Sequence, residues 1–149
     1  MVRYLEDFRV GEVIDLGSAT VSEEEILAFA RQFDPQPFHV DPEAAKGSIY
    51  GGLIASGWHT CGIYMRLLAD NFLRDTISMG SPGIDTLRWS SPVRPGDTLR
   101  ARLTILDVTP SRSRPDRGTM RSRGEVLNAR DEVVLILEAI GIFGRRPAE

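Results

Sequence analysis

The sequence predicts an α+β fold in which one antiparallel sheet packs against a single long helix. Apolar residues between Ile54 and Phe72 recur at steps of four and three, which is the spacing of one helix face and predicts a helix from about Leu53 to Phe72. After Pro82 the pattern changes to the alternation that is typical of strands. Strands that are bunched after a helix, instead of alternating with helices, favour an antiparallel sheet.

A strand and a shorter helix are predicted before the long helix. The strand runs from Glu12 to Thr20, and the helix runs from Glu23 to about Phe33. Ser22 and Glu25 have the S-x-x-E spacing of a capping box, in which each side chain bonds the backbone N–H of the other residue. The helix should end at Asp34, because a proline follows it directly.

Four further strands are predicted after the long helix. The last of them is the most apolar and should therefore lie in the interior of the sheet. Their predicted ranges are Ile84–Val93, Thr98–Val108, Met120–Asn128 and Val133–Phe143. The long helix is apolar over much of its circumference, so we expect other elements to surround it. His59 lies beside its apolar stripe and is interpreted as a packing or surface residue.

Length and composition restrict the classes of function. The 149 residues predict one domain, 1–149, and the 42% apolar and 26% charged fractions are those of an ordinary globular protein. Apolar runs are too short for a membrane span, and acidic residues near the N-terminus replace the apolar stretch of a signal peptide, so we expect a cytoplasmic protein with no membrane partner. A single cysteine, Cys61, and two histidines exclude an internal disulfide and predict no metal site.

Arginines cluster in the second half of the chain around the predicted turn Pro110–Gly118. Arginine presents a planar fork to phosphate oxygens, so the cluster is one candidate for binding a phosphorylated ligand; the alternative is a well-solvated hairpin tip. Aromatic residues do not interleave with these arginines and the net charge is −3, which argues against a nucleic-acid partner. The cluster consists of Arg112, Arg114, Arg117, Arg121 and Arg123.

The segment Phe33–Asp41 holds the two strongest candidates for proton transfer, Asp34 and His39. Pro35 and Pro37 restrict the backbone between them, so we expect an open segment that a helix cannot cross. A carboxylate and an imidazole that share one water can add or remove water at a double bond. At the rise of a polyproline helix the five residues would span about 15 Å, so this function requires a bend. The alternative is ordinary helix-stop chemistry with a structural histidine.

Gly51 and Gly52 stand at the predicted start of the long helix. A helix N-terminus exposes unpaired N–H groups and a partial positive charge, and glycine lets a ligand carbonyl approach the backbone closely. An acid, a histidine and such a donor suit chemistry on a double bond conjugated to a thioester. The alternative is a glycine pair that only makes a tight turn.

These residues resemble the motif of the MaoC-like dehydratases, the hot-dog-fold group that includes (R)-specific enoyl-CoA hydratases. The family motif runs approximately Gly-Asp-x-Asn-Pro-x-His and is followed by His-Gly; Phe33–His39 and then Gly51–Gly52 match it here. The stretches Tyr4–Glu12 and Ser90–Asp97 are also similar to the family. The resemblance therefore covers nearly the whole chain and implies a hot-dog fold, a long central helix wrapped by a curved antiparallel β-sheet.

The resemblance also implies a reaction and a set of site residues. The reaction is the reversible hydration of a trans-2-enoyl-CoA to a 3-hydroxyacyl-CoA, as in fatty acid metabolism, by a homodimer that uses no cofactor beyond the coenzyme A of its substrate. Asp34 and His39 would hold the catalytic water, one as base and the other as acid, and the Gly52 amide would bind the thioester oxygen. Further candidates for substrate contacts are Gln36, Gly51, Thr60, Arg88 and Arg94.

The chain departs from the family motif at three positions, where Phe33 replaces glycine, Gln36 replaces asparagine and Gly51 replaces histidine. Both proton-transfer groups are retained, so the departures concern the choice of substrate. Two alternatives stay open. A hot-dog thioesterase usually has its acid on the long helix, where residues 53–69 contain none. A non-catalytic acyl-thioester binding protein would have no need of both Asp34 and His39.

Overall fold

Five antiparallel strands form one sheet in the computed structural model, which describes residues 1–149. The strands are β1 (Val13–Thr20), β2 (Gly83–Trp89), β3 (Thr98–Pro110), β4 (Arg117–Leu127) and β5 (Val133–Gly144), and the helices are α1 (Glu23–Phe33), α2 (Pro37–Val40), α3 (Pro42–Lys46) and α4 (Gly57–Asn71). The strand order is β1-β3-β4-β5-β2, so β2 pairs with β5 at the edge of the sheet opposite β1. The α+β class and the antiparallel sheet are as predicted.

The long helix α4 packs against the inner face of the sheet. Alternate residues of β3 and β4 point inward and are buried, and they join the buried face of α4 in one hydrophobic core. Gly124 of β4 illustrates the fit, because a side-chain carbon there would overlap the hydroxyl of Tyr64. The lack of a side chain at this position therefore lets a large aromatic residue of α4 approach the sheet.

Helix α1 has the residues and the cap that the sequence predicts. The Glu25 N–H donates to Ser22 Oγ at 3.1 Å, and the Ser22 N–H donates to Glu25 Oε1 at 3.2 Å. Val21 and Ile26, the apolar residues on either side of this box, are buried. Asp34 follows the last helical residue, and its N–H still donates to the Ala30 carbonyl at 2.8 Å.

The predicted start of the long helix at Leu53 is wrong, because α4 begins at Gly57. The intervening residues bond to other segments instead: the Ile54 N–H donates to the Phe38 carbonyl at 3.1 Å, and the Ala55 N–H donates to the Val93 carbonyl at 2.8 Å. These bonds keep Leu53–Ala55 out of α4, although the apolar side chains of these residues continue the helical spacing of α4.

The strand boundaries also differ from the predictions in places. Strand β2 stops at Trp89 instead of Val93, since Ser91-Pro92 interrupts the ladder, while β3 and β4 are longer than predicted. Strand β5 lies in the interior of the sheet, as predicted, between β4 and β2. None of the helices is long and apolar enough to span a membrane.

Candidate active site

The segment between α1 and α3 bends sharply instead of staying open. Pro37 occupies the first position of the one-turn helix α2, where a missing N–H costs nothing and the fixed φ suits a helix. The His39 N–H then donates to the Gln36 carbonyl at 2.9 Å. As expected, no helix crosses the segment, because α1 ends at Phe33 and α2 begins only at Pro37. The segment is not open, however, and the helical turn of α2 supplies the bend that a shared site requires.

His39 is buried and held in one orientation by a backbone carbonyl. Its Nδ1 lies 2.8 Å from the Ile54 carbonyl oxygen, which can only accept, so Nδ1 carries a hydrogen. Its Nε2 lies 3.4 Å from Asp34 Oδ2. This separation exceeds an ordinary N–H···O bond, so the two atoms are neighbours that can both contact one small molecule between them.

Both carboxylate oxygens of Asp34 already accept one hydrogen bond. The Gln36 amide donates to Oδ1 at 2.7 Å, and the Ser56 hydroxyl donates to Oδ2 at 2.7 Å. Burial alone raises the pKa of Asp34, but the bonds from Gln36 and Ser56 and the neighbouring His39 outweigh it, so its pKa lies below the usual 3.8. Asp34 is therefore an ionised acceptor at neutral pH.

Ser56 and Gly57 place the start of α4 against this pair. Ser56 is fully buried and caps the helix, with its Oγ accepting from the Trp58 N–H at 3.3 Å. Gly57 is the first helical residue, and its N–H donates to no group of the protein. The Gly57 carbonyl accepts from Trp89 Nε1 at 2.9 Å, and a side-chain carbon at Gly57 would overlap the same indole.

One cavity of about 520 Å³ collects these groups. Asp34, His39, Gly57 and Thr60 line it together, and Trp89 forms part of its wall. It combines a carboxylate, an imidazole and a free backbone donor with the positive end of a helix dipole. Such a site can take a proton, give a proton and stabilise negative charge on a carbonyl oxygen.

Two of the predicted substrate contacts, Gln36 and Thr60, line this cavity. Gln36 donates the bond to Asp34, and Thr60 is buried in the first turn of α4. Arg88 does not line the cavity; it is exposed on β2 next to Trp89, and alternate residues of a strand point to opposite faces.

The other predicted contacts lie outside the cavity. Gly51 has a φ of +67° and makes a turn, which was the alternative interpretation of the glycine pair. Gly52 does not start a helix, so the prediction that its amide is a helix N-terminal donor is wrong; the helix starts five residues later. Arg94 Nη2 donates to the Tyr50 carbonyl at 2.7 Å and thereby fixes the loop that carries both glycines.

The arginine cluster lies on the β3–β4 hairpin and the strands that follow it, away from the cavity. Three members pair with acids: Arg117 with Asp116 at 2.8 Å, Arg121 with Asp85 at 3.5 Å and Arg123 with Glu138 at 2.9 Å. Arg112 and Arg114 form no ion pair. The hairpin tip predicted between Pro110 and Gly118 is confirmed.

The sequence analysis missed Ser56, Gly57 and Trp89. A signal for the first two was present, because serine is a preferred N-cap residue and a glycine follows it at once. The apolar run Leu53–Ala55 obscured it by extending the helical pattern toward the earlier glycine pair. No local signal identifies Trp89, which reaches the site only through the pairing of β2 with β5.

Comparisons with known proteins agree with this architecture. A family model described as MaoC like domain matches residues 7–125. The crystal structure of the MaoC-like dehydratase from Rhodospirillum rubrum has a TM-score of 0.90 and 46% sequence identity, and the match covers 98% of this chain and 99% of that one.

Two sequence relatives extend the comparison. The protein YdeM of Bacillus subtilis, itself uncharacterized, is 36% identical over 110 residues, which are 73% of this chain and 77% of that protein. An (R)-specific enoyl-CoA hydratase of Rhodospirillum rubrum is 28% identical over 117 residues, 75% of this chain and 76% of that protein. The hot-dog fold implied by the sequence resemblance is confirmed.

Proposed function

This chain belongs to the MaoC-like domain family, and we propose that it is a hydratase that reversibly adds water to a trans-2-enoyl-CoA. The observation that carries the proposal is the placement of Asp34, His39 and the free Gly57 N–H around one cavity. The name of the relative from Rhodospirillum rubrum, an (R)-specific enoyl-CoA hydratase, supports the same reaction class.

Hydration requires two proton movements, and the site has one group for each. A water molecule between Asp34 Oδ2 and His39 Nε2 attacks C3 of the enoyl group while Asp34 takes one of its protons. The imidazolium form of His39 protonates C2, so the elements of water are added across the double bond. Transfer of the proton from Asp34 to His39 then restores the starting state, and dehydration follows the same steps in reverse.

The hydrogen bonds around His39 suit this role. Nδ1 and Nε2 both face oxygen atoms that accept hydrogen bonds, the Ile54 carbonyl and the Asp34 carboxylate. The Nδ1 bond to the Ile54 carbonyl holds the ring in place before and after Nε2 gives up its proton, and Nε2, 3.4 Å from Asp34 Oδ2, stays free to donate to the substrate. Asp34 remains ionised because Gln36 and Ser56 stabilise its charged form.

Negative charge develops on the thioester oxygen as water attacks C3. The Gly57 N–H is the donor that we assign to this oxygen, in place of the Gly52 amide expected from the sequence. It is unpaired in the protein and lies at the positive end of α4, and the room that a side chain would take at Gly57 is filled by the Trp89 indole. One such donor contributes about 3 kcal/mol to transition-state stabilisation.

The proposal includes a homodimer. Most large apolar side chains of the protein are buried. Four on α4 and β2 are exposed: Trp58 (57%), Met65 (48%), Ile84 (52%) and Trp89 (45%). Strand β2 is also an edge strand with one unpaired side. An edge strand beside exposed apolar groups suits pairing with a second copy of the chain.

The test follows the absorbance of the conjugated enoyl thioester with crotonyl-CoA and a longer 2-enoyl-CoA as substrates. Loss of the band with the unaltered protein, and not with Asp34→Asn or His39→Ala, supports hydration and both assignments. Release of free thiol would instead indicate a thioesterase. No loss of absorbance and no thiol with either substrate would contradict catalysis and leave the binding-protein alternative.

A further inference from the structure

A second cavity of about 500 Å³ lies along the same helix, between the later turns of α4 and the inner face of the sheet. Its wall is mainly hydrophobic and includes Met65, Leu68 and Leu137. No arginine, lysine, histidine, aspartate or glutamate lines it. Because it follows the catalytic cavity along α4, it is placed to receive the chain of an acyl thioester whose carbonyl sits at Gly57.

Four residues with hydroxyl groups line this cavity; Ser78 and Ser81 are exposed, whereas Tyr64 and Ser122 are buried. Tyr64 of α4 is 3% exposed and Ser122 of β4 is 8% exposed; both residues line the cavity, and neither hydroxyl bonds another protein group. The Tyr64 hydroxyl lies over Gly124, which is the next inward-facing position after Ser122 on the same strand. Neighbouring inward positions of a strand are about 7 Å apart, so Ser122 lies beyond the reach of an oxygen centred on the Tyr64 hydroxyl.

Two hydroxyls that bond no protein group restrict the chemistry of a ligand in this cavity. A ligand that fills the cavity displaces water from both hydroxyls, and leaving a hydroxyl unpaired there forfeits the hydrogen bonds it had in water. Burial raises the pKa of Tyr64, so its hydroxyl stays protonated and can donate. With no cation in the wall, a carboxylate on the ligand would lose its solvation without compensation. A neutral oxygen is therefore the matching partner.

We propose that the acyl chain bound in this cavity carries a neutral oxygen, as an ether, hydroxyl or keto group, that accepts from the Tyr64 hydroxyl. The identification of the ligand as an acyl thioester rests on the proposed function. Seven residues separate Gly57 from Tyr64, a rise of about 10 Å along the helix, so the oxygen lies well along the chain and not next to the thioester.

The experiment measures binding without turnover, by isothermal titration calorimetry. The probes are saturated acyl-CoAs from hexanoyl to dodecanoyl, each beside isosteric analogues in which an ether oxygen replaces one methylene at successive positions. At one position we expect the ether to bind about three- to tenfold tighter than the parent chain, the usual range for one hydrogen bond. Tyr64→Phe should reduce this ratio to about one, and Ser122→Ala should leave it largely unchanged.

Tyr4→Phe is the matched control, because it removes a tyrosine hydroxyl outside both cavities and should leave the ratio unchanged. Equal binding of ethers and parent chains, a ratio that Tyr64→Phe leaves unaltered, or no binding of any chain would overturn the inference. The proposed function is judged separately by hydration of crotonyl-CoA. Hydration of crotonyl-CoA without tighter binding of an ether would contradict only the oxygen-bearing acyl chain. Tighter binding of an ether without hydration would contradict only the proposed reaction.

Discussion

Replacing Ser56 with alanine removes two interactions at once. The hydroxyl donates to Asp34 Oδ2 at 2.7 Å and also accepts from the Trp58 N–H as the cap of α4. Loss of a serine cap costs about 1 kcal/mol. A hydrogen bond to a charged group contributes about 1.5–3 kcal/mol, toward the lower end here because 18% of the Asp34 side chain is exposed to water.

We therefore expect Ser56→Ala to lower the free energy of unfolding by about 2.5 kcal/mol. For a chain of this length each kcal/mol corresponds to about 2–4 °C, so Tm should fall by about 5–10 °C. Differential scanning calorimetry measures this change. Ser113→Ala is the control, because Ser113 is exposed in the β3–β4 turn and its hydroxyl bonds nothing; its Tm should match that of the unaltered protein.

The same substitution should change the pH dependence of hydration. Ser56 is one of the groups that lower the pKa of Asp34, so its removal raises that pKa toward or past 3.8. Since Asp34 acts as a base only when ionised, the acidic limb of kcat/KM against pH should move to higher pH. In the unaltered protein the stability contributed by ionised Asp34 is present above pH 3.8 and lost as pH falls through its lowered pKa. A fall in Tm with an unmoved acidic limb would refute the reasoning, because Ser56 would then be a cap and nothing more.

Three further substitutions test the site and the packing. Gly57→Ala should displace the indole at the cavity wall and obstruct the free N–H, reducing kcat by about 100-fold or more, whereas Gly52→Ala should keep nearly full activity in the same assay. Gly124→Ala overpacks the contact with Tyr64 and should lower the free energy of unfolding by about 1–3 kcal/mol in urea titrations. Burial lowers the pKa of His59 below 6.5, so the unfolded chain binds more protons and stability should fall as pH drops below about 6.5; His59→Phe should flatten this dependence.

Local chemistry made parts of the fold predictable. The capping box of α1 depends on two side chains three residues apart, and the chain between them needs no tertiary support to form it. Asp34 and His39 were identifiable for a similar reason, since they flank a short segment with two prolines. The sequence required this segment to bend, and Pro37 at the first position of α2 provides the bend.

Tertiary contacts decided what the sequence did not show. The stripe that begins at Leu53 has helical spacing, yet its backbone bonds to Phe38 and Val93, which are distant in sequence. Those bonds move the start of α4 to Gly57 and replace the expected Gly52 donor. Trp89 likewise reaches the cavity because β2 pairs with β5, a pairing between segments more than forty residues apart.

The most direct test of the account is the fate of crotonyl-CoA in ¹⁸O-labelled water, followed by mass spectrometry. The account predicts an intact coenzyme A thioester that has gained one molecule of labelled water in its acyl group, formed by the unaltered protein and not by Asp34→Asn. Labelled free acid together with free coenzyme A would contradict it, because water would then have attacked the thioester carbonyl and not the double bond.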